Sequence, residues 1–112
     1  MGLKITDEIF TNKGVTTEAY INVERQIFKK GNMTEEDSFD INVNMYMSEA
    51  ARLNDPLDTC ESAQVYRYFG YANIGSPGQL EGLKGVQNAF EFTYELLKAS
   101  LEEQGFTVID VD

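Results

Sequence analysis

The sequence contains no histidine. That removes Ser-His-Asp and Cys-His nucleophilic sites, histidine-ligated zinc and the usual general base of neutral pH. Cysteine occurs once, at Cys60, which excludes an intramolecular disulfide and a thiolate metal site within one chain. A lone thiol fits a reducing compartment or a virion better than a disulfide-dense secreted fold. Basic residues are scarce, nine Lys and Arg against nineteen Asp and Glu, for a net charge of −10. Nucleic acids and anionic membranes are bound through basic patches, so this balance opposes both. No apolar run approaches the roughly 18 residues of a membrane-spanning helix. The opening "MGLKITDEIF" also lacks the apolar centre expected of a secretory signal.

What is present reads as one globular domain over residues 1–112. The length lies in the usual domain range, and the 42% hydrophobic and 25% charged content is far from that of a disordered chain. The stretch Leu3 to Phe10 reads as a short strand or extended arm, followed by a turn at Asn12-Lys13-Gly14. Thr16 to Phe28 alternates as a strand does. Ala19, Ile21, Val23 and Ile27 form one row, which Arg25 interrupts. After a charged connection over Lys29 to Asp37, "SFDINVNMYMS" alternates again. Phe39, Ile41, Val43, Met45 and Met47 form its core row, and Asp40, Asn42, Asn44 and Tyr46 form the other.

The segment "SEAARL" is either one helical turn or the end of that strand, and Asn54-Asp55-Pro56 marks a turn. Ala63 to Tyr71, "AQVYRYFGY", favours a third strand, with neither row cleanly polar. Ser76, Pro77 and Gln79 fit an N-cap, a first-turn proline and a capping box. From there an apolar stripe runs through Leu80, Leu83, Val86, Phe90, Leu97 and Leu101, predicting a long helix to Gln104. Gly105 and Phe106 suit a Schellman-type stop. "FTVIDVD" then closes the chain as a strand. The expected fold is α+β: an antiparallel sheet of about four strands packed against one long C-terminal α-helix.

Each candidate for chemistry has a plainer explanation. The acidic pairs Asp7-Glu8 and Glu102-Glu103 read as solvated surface before they read as acid–base pairs. Asn54, Asp55 and Asp58 lack the spacing of a calcium loop. The glycine-rich stretch Gly70 to Gln79 is a strand-to-helix connection with neither a dinucleotide nor a P-loop pattern. Tyr66 and Tyr68 belong to an aromatic cluster that suits core packing or a protein interface. Phe92 lies about 200° from Tyr94 around the helix, which implies a second covered face. The candidate interface is therefore Asp40, Asn42, Asn44 and Tyr46, with Tyr66, Tyr68 and Phe92. No catalytic, cofactor-binding or metal-binding residue is expected.

The order "MGLKITDEIFTNKGVTTEAYINVERQIF", "FDINVNMYMSEAARLNDP", a capped helix and the tail "GFTVIDVD" resembles small virion proteins of tailed bacteriophages. Those of crAss-like and related gut phages come nearest. The resemblance implies a mixed α/β subunit of a tail, neck or baseplate, without enzymatic activity, made in the host bacterial cytoplasm and carried in the virion. Its implied partners are other copies of itself and other virion proteins. Two other readings stand beside it: a soluble acidic binding module of the inhibitor or immunity kind, and a small enzyme using carboxylates and tyrosine alone.

Overall fold

In a computed structural model, residues 2–29, 38–72 and 86–111 are described. Five strands form one antiparallel sheet: β1 (Gly2–Ile5), β4 (Ala19–Lys29), β5 (Ser38–Tyr46), β6 (Tyr68–Ala72) and β7 (Val108–Val111). Their spatial order is β6-β5-β4-β1-β7. Two further strands, β2 (Ile9–Thr11) and β3 (Gly14–Thr16), form a separate ribbon. The described helices are α1 (Glu49–Asn54) and α2 (Val86–Glu103). The α+β class is as expected, but the sheet has five strands where about four were expected. The stretch Leu3 to Phe10 does not act as one strand, because the chain leaves the main sheet after Ile5 and contributes Ile9–Thr11 to the ribbon. The expected helix start at Ser76, Pro77 and Gln79 lies outside the described residues, as does the connection over residues 30–37.

The inner face of the sheet is built by alternation. Leu3, Ile5, Ala19, Ile21, Phe39, Ile41, Val43 and Met45 point to one side and are buried. Helix α2 packs on β1, β4 and β7 and supplies Leu97 and Leu101 to the same core. Each fully buried Leu or Ile contributes roughly 1.5–3 kcal/mol relative to exposure, so this face dominates the stability. The helix stops where its sequence predicts. The Phe106 N–H donates to the Leu101 carbonyl (3.1 Å) and the Gly105 N–H to the Glu102 carbonyl (3.0 Å), with Gly105 at φ 100°. These are the two bonds of a Schellman motif.

A β-bulge between Val23 and Arg25 divides β4. Up to Val23 the odd residues face inward. The extra residue shifts the register, so beyond it Gln26 pairs with buried Ile41 and faces inward, while Ile27 pairs with Asp40 and faces outward. Gln26 is anchored there by the Thr93 hydroxyl, which donates to its Oε1. The Val23 N–H donates to the Tyr94 hydroxyl at 3.0 Å. The placing of Ile27 in one row with Ala19, Ile21 and Val23 is thus corrected: the interruption at Arg25 marks the bulge, and beyond it Ile27 is 43% exposed.

Among the described residues, the outer face is covered at one end only. Ser48 caps α1 by accepting from the Ala51 N–H (3.0 Å), and α1 lies against β4 and β5. After α1 the chain crosses to the β2–β3 ribbon. There the Asn12 N–H donates to the Glu61 carbonyl (3.0 Å), the Glu61 N–H to Asn12 Oδ1 (2.8 Å), and Lys13 pairs with Asp58. The Thr16 hydroxyl donates to the Met47 carbonyl at 2.6 Å, tying the ribbon to the end of β5. Residues 63–67, expected to begin the third strand, lie ahead of β6. A Ser62–Val65 bridge turns the chain, and the pairing with β5 starts at Tyr68.

Candidate interaction surface

The second row of β5 crosses from cover to solvent along its length. At the covered end Tyr46 is 2% exposed. Its hydroxyl donates to the Pro56 carbonyl at 2.7 Å, and its ring centroid lies 6.3 Å from that of Tyr20. Tyr20 is equally buried, with the Arg52 guanidinium 5.8 Å from its ring centre. Burial pushes the Tyr20 phenol up, against the opposing pull of Arg52. Tyr46 is therefore removed from the candidate interface. The α1 segment and the turn at Pro56 occupy the surface that it was expected to offer.

Asn44, one row further, is half-buried and accepts from Arg67 Nη2 at 2.9 Å. Arg67 also pairs with Glu61 (3.1 Å) and donates from Nε to the Val43 carbonyl (3.3 Å). One guanidinium thus joins β5 to the segment before β6. Asn44 is a fastener within the chain as much as a contact for a partner.

Beyond Asn44 the face opens. Arg25, Asn42 and Tyr68 stand side by side across β4, β5 and β6, and Ile27, Asp40 and Gly70 stand side by side in the next row. Asp40 Oδ1 accepts from the Tyr68 hydroxyl at 2.7 Å. That bond raises the Tyr68 phenol above its usual value, helped by partial desolvation and by the Asp40 charge. Gly70 leaves the room: a Cβ there would stand 3.3 Å from Asp40 Oδ1 and 3.4 Å from the Tyr68 hydroxyl. Tyr68 is 58% exposed. Arg25 is exposed and makes no ion pair among the described residues.

Of the expected interface residues, Asp40, Asn42 and Tyr68 come together on this open end. Tyr66 is 67% exposed in the segment preceding β6. Phe92 belongs to α2, and its side chain lies outside the described residues. Sequence reading missed Arg25 and Ile27. Their signal was the interrupted apolar row of β4, read as a blemish in the pattern and not as a bulge.

Elsewhere Phe10 and Val15, directly opposed on β2 and β3, form a second exposed apolar pair. An open cleft of about 270 Å³ lies between α2 and the β1–β7 edge, lined by Glu91, Tyr94, Glu95, Lys98 and Asp110 among others. Lys98 and Asp110 are paired across it at 3.2 Å. Cys60 is buried, and burial pushes its thiol up, away from the reactive thiolate. No group of three or more carboxylates and thiols suited to a metal occurs among the described residues. The chain matches no protein-family model, no curated protein and no solved structure.

Proposed function

We propose that the chain is a structural subunit of a tailed-bacteriophage virion, a tail, neck or baseplate component that acts by subunit–subunit assembly. The observation that carries this reading is the open end of the outer sheet face, where exposed Ile27 and Tyr68 stand among Arg25, Asp40 and Asn42. Apolar groups ringed by polar ones on an exposed face mark surfaces made to be covered by protein. The Phe10–Val15 pair, on a different element, supports a subunit that meets more than one neighbour. The resemblance in the layout of nearly the whole chain to small virion proteins supplies the setting, with one long C-terminal helix and no cofactor.

The test is native mass spectrometry across concentration and salt, followed by capture of phage structural proteins on the immobilised chain. A discrete oligomer that grows as salt screens the −10 charge is the expected result. A chain that stays monomeric throughout and captures no phage structural protein overturns the proposal. The same −10 charge favours one second reading, an acidic module that masks a basic partner. That reading requires association with a basic protein that weakens steeply with salt.

A further inference from the structure

Four residues at the open end of the face form a near-rectangle. Arg25 stands opposite Asn42, and Ile27 stands opposite Asp40. Ile27 and Asn42 occupy one diagonal, and Arg25 and Asp40 occupy the other. Diagonal neighbours on adjacent strands lie about 7–8 Å apart, within reach of an arginine, yet Arg25 and Asp40 form no ion pair. The Tyr68 hydroxyl holds Asp40 Oδ1 from the β6 side. That leaves a cation and a carboxylate displayed on either side of an apolar and amide diagonal.

This pattern is self-complementary. A half-turn about the Ile27–Asn42 diagonal, with two copies face to face, brings Arg25 of each copy over Asp40 of the other. It also sets Ile27 against Ile27 and Asn42 against Asn42, where each amide can donate to and accept from its mate. Tyr68 lies beside the end of the same axis, so its exposed ring extends the apolar strip. A two-fold interface demands that residue i meet j while j meets i, and these four residues satisfy it. We infer that the chain pairs with a second copy of itself through this sheet face, the two copies related by a two-fold axis along Ile27 and Asn42, with reciprocal Arg25–Asp40 ion pairs. The inference deepens the assembly reading and rests on its premise that the chain binds its own kind.

Charge reversal tests it. Sedimentation of the wild type is expected to show a monomer–dimer equilibrium. Arg25→Asp and Asp40→Arg are each expected to weaken the dimer on the order of ten-fold or more, because each places like charges together twice. The two reversals combined restore the opposite-sign contacts and are expected to recover most of the affinity. Ile27→Glu, which sets two carboxylates together on the axis, is expected to abolish pairing. Circular dichroism of each variant reports that the fold is retained. A dimer indifferent to both single reversals, or not rescued by the double, overturns this pairing while leaving assembly through Phe10 and Val15 intact. A wild-type chain that is monomeric at every concentration also overturns it, and capture of phage structural proteins then decides the broader reading separately.

Discussion

The two ends of the outer sheet face share β4 and β5, and they end in opposite states. At one end Tyr20 and Tyr46 are 2% exposed beneath α1 and the Pro56 turn. At the other, Ile27 and Tyr68 are 43% and 58% exposed with nothing described above them. Period 2 decides which residues share a face. It does not decide what lies on that face, because the cover comes from a segment later in the chain. The tyrosines show the difference most plainly: Tyr46, on interior strand β5, is roofed by α1 and the Pro56 turn, while Tyr68, on edge strand β6, has no described segment over it.

The largest expected effect separates these ends. Tyr46→Ala removes a buried ring, its contact with Tyr20 and its bond to Pro56, and is expected to cost about 3–5 kcal/mol in denaturant unfolding. Tyr68→Ala is expected to leave the unfolding midpoint unchanged. Equal losses at both positions would mean that the open end is covered in solution. Smaller, and also confined to the covered end, is Gly2→Ala. A Cβ at Gly2 would overlap the Tyr20 ring, which cannot retreat from Tyr46 and Arg52 without strain. About 1–3 kcal/mol is expected, the usual range for overpacking. Tyr46→Phe keeps the ring and loses only the hydrogen bond to Pro56, for about 0.5–1.5 kcal/mol.

Local chemistry was legible in the sequence where a pattern completed itself within a few residues. The β4 and β5 strands, the Asn12-Lys13-Gly14 turn and the Gly105 stop all follow from alternation and glycine placement, with Gly14 at φ 122° and Gly105 at φ 100°. Long-range consequences were not. Nothing within "SFDINVNMYMS" tells that Tyr46 will be roofed by Pro56, because the two meet through a turn set after α1. The bulge was half legible. Arg25 in an apolar row signals that something breaks there, but the inward turn of Gln26 depends on Thr93, far along the chain. Of the five residues at the open end, Asp40, Asn42 and Tyr68 carry a signal in the sequence pattern, while Arg25 and Ile27 required the shifted register.

Alkaline pH sharpens the comparison at smaller amplitude. Burial pushes the phenols of Tyr20 and Tyr94 above the usual value near 10. The folded chain therefore keeps these protons when the unfolded chain releases them. Stability is unaffected by these groups below about pH 10 and falls as pH rises through their raised values. Unfolding followed by phenolate absorbance is expected to show this loss, and replacing Tyr20 by Phe is expected to reduce its steepness.

Tyr68 is raised for another reason, and this gives the smallest effect. Its shift comes first from the hydrogen bond to Asp40 on an open surface, with desolvation second, whereas desolvation leads at Tyr20 and Tyr94. Asp40→Asn removes the charged acceptor, so the Tyr68 phenol is expected to titrate closer to its usual value while the unfolding midpoint stays where it was. Tyr20, roofed by Arg52 and Tyr46, is expected to titrate as before in the same variant. Should Tyr68 keep its raised value without the Asp40 carboxylate, desolvation at the open end would be the larger cause. The two ends of the face would then be alike in solution. Should only Tyr68 move, one face carries tyrosines raised by two separable means, burial at the covered end and chiefly a carboxylate bond at the open end.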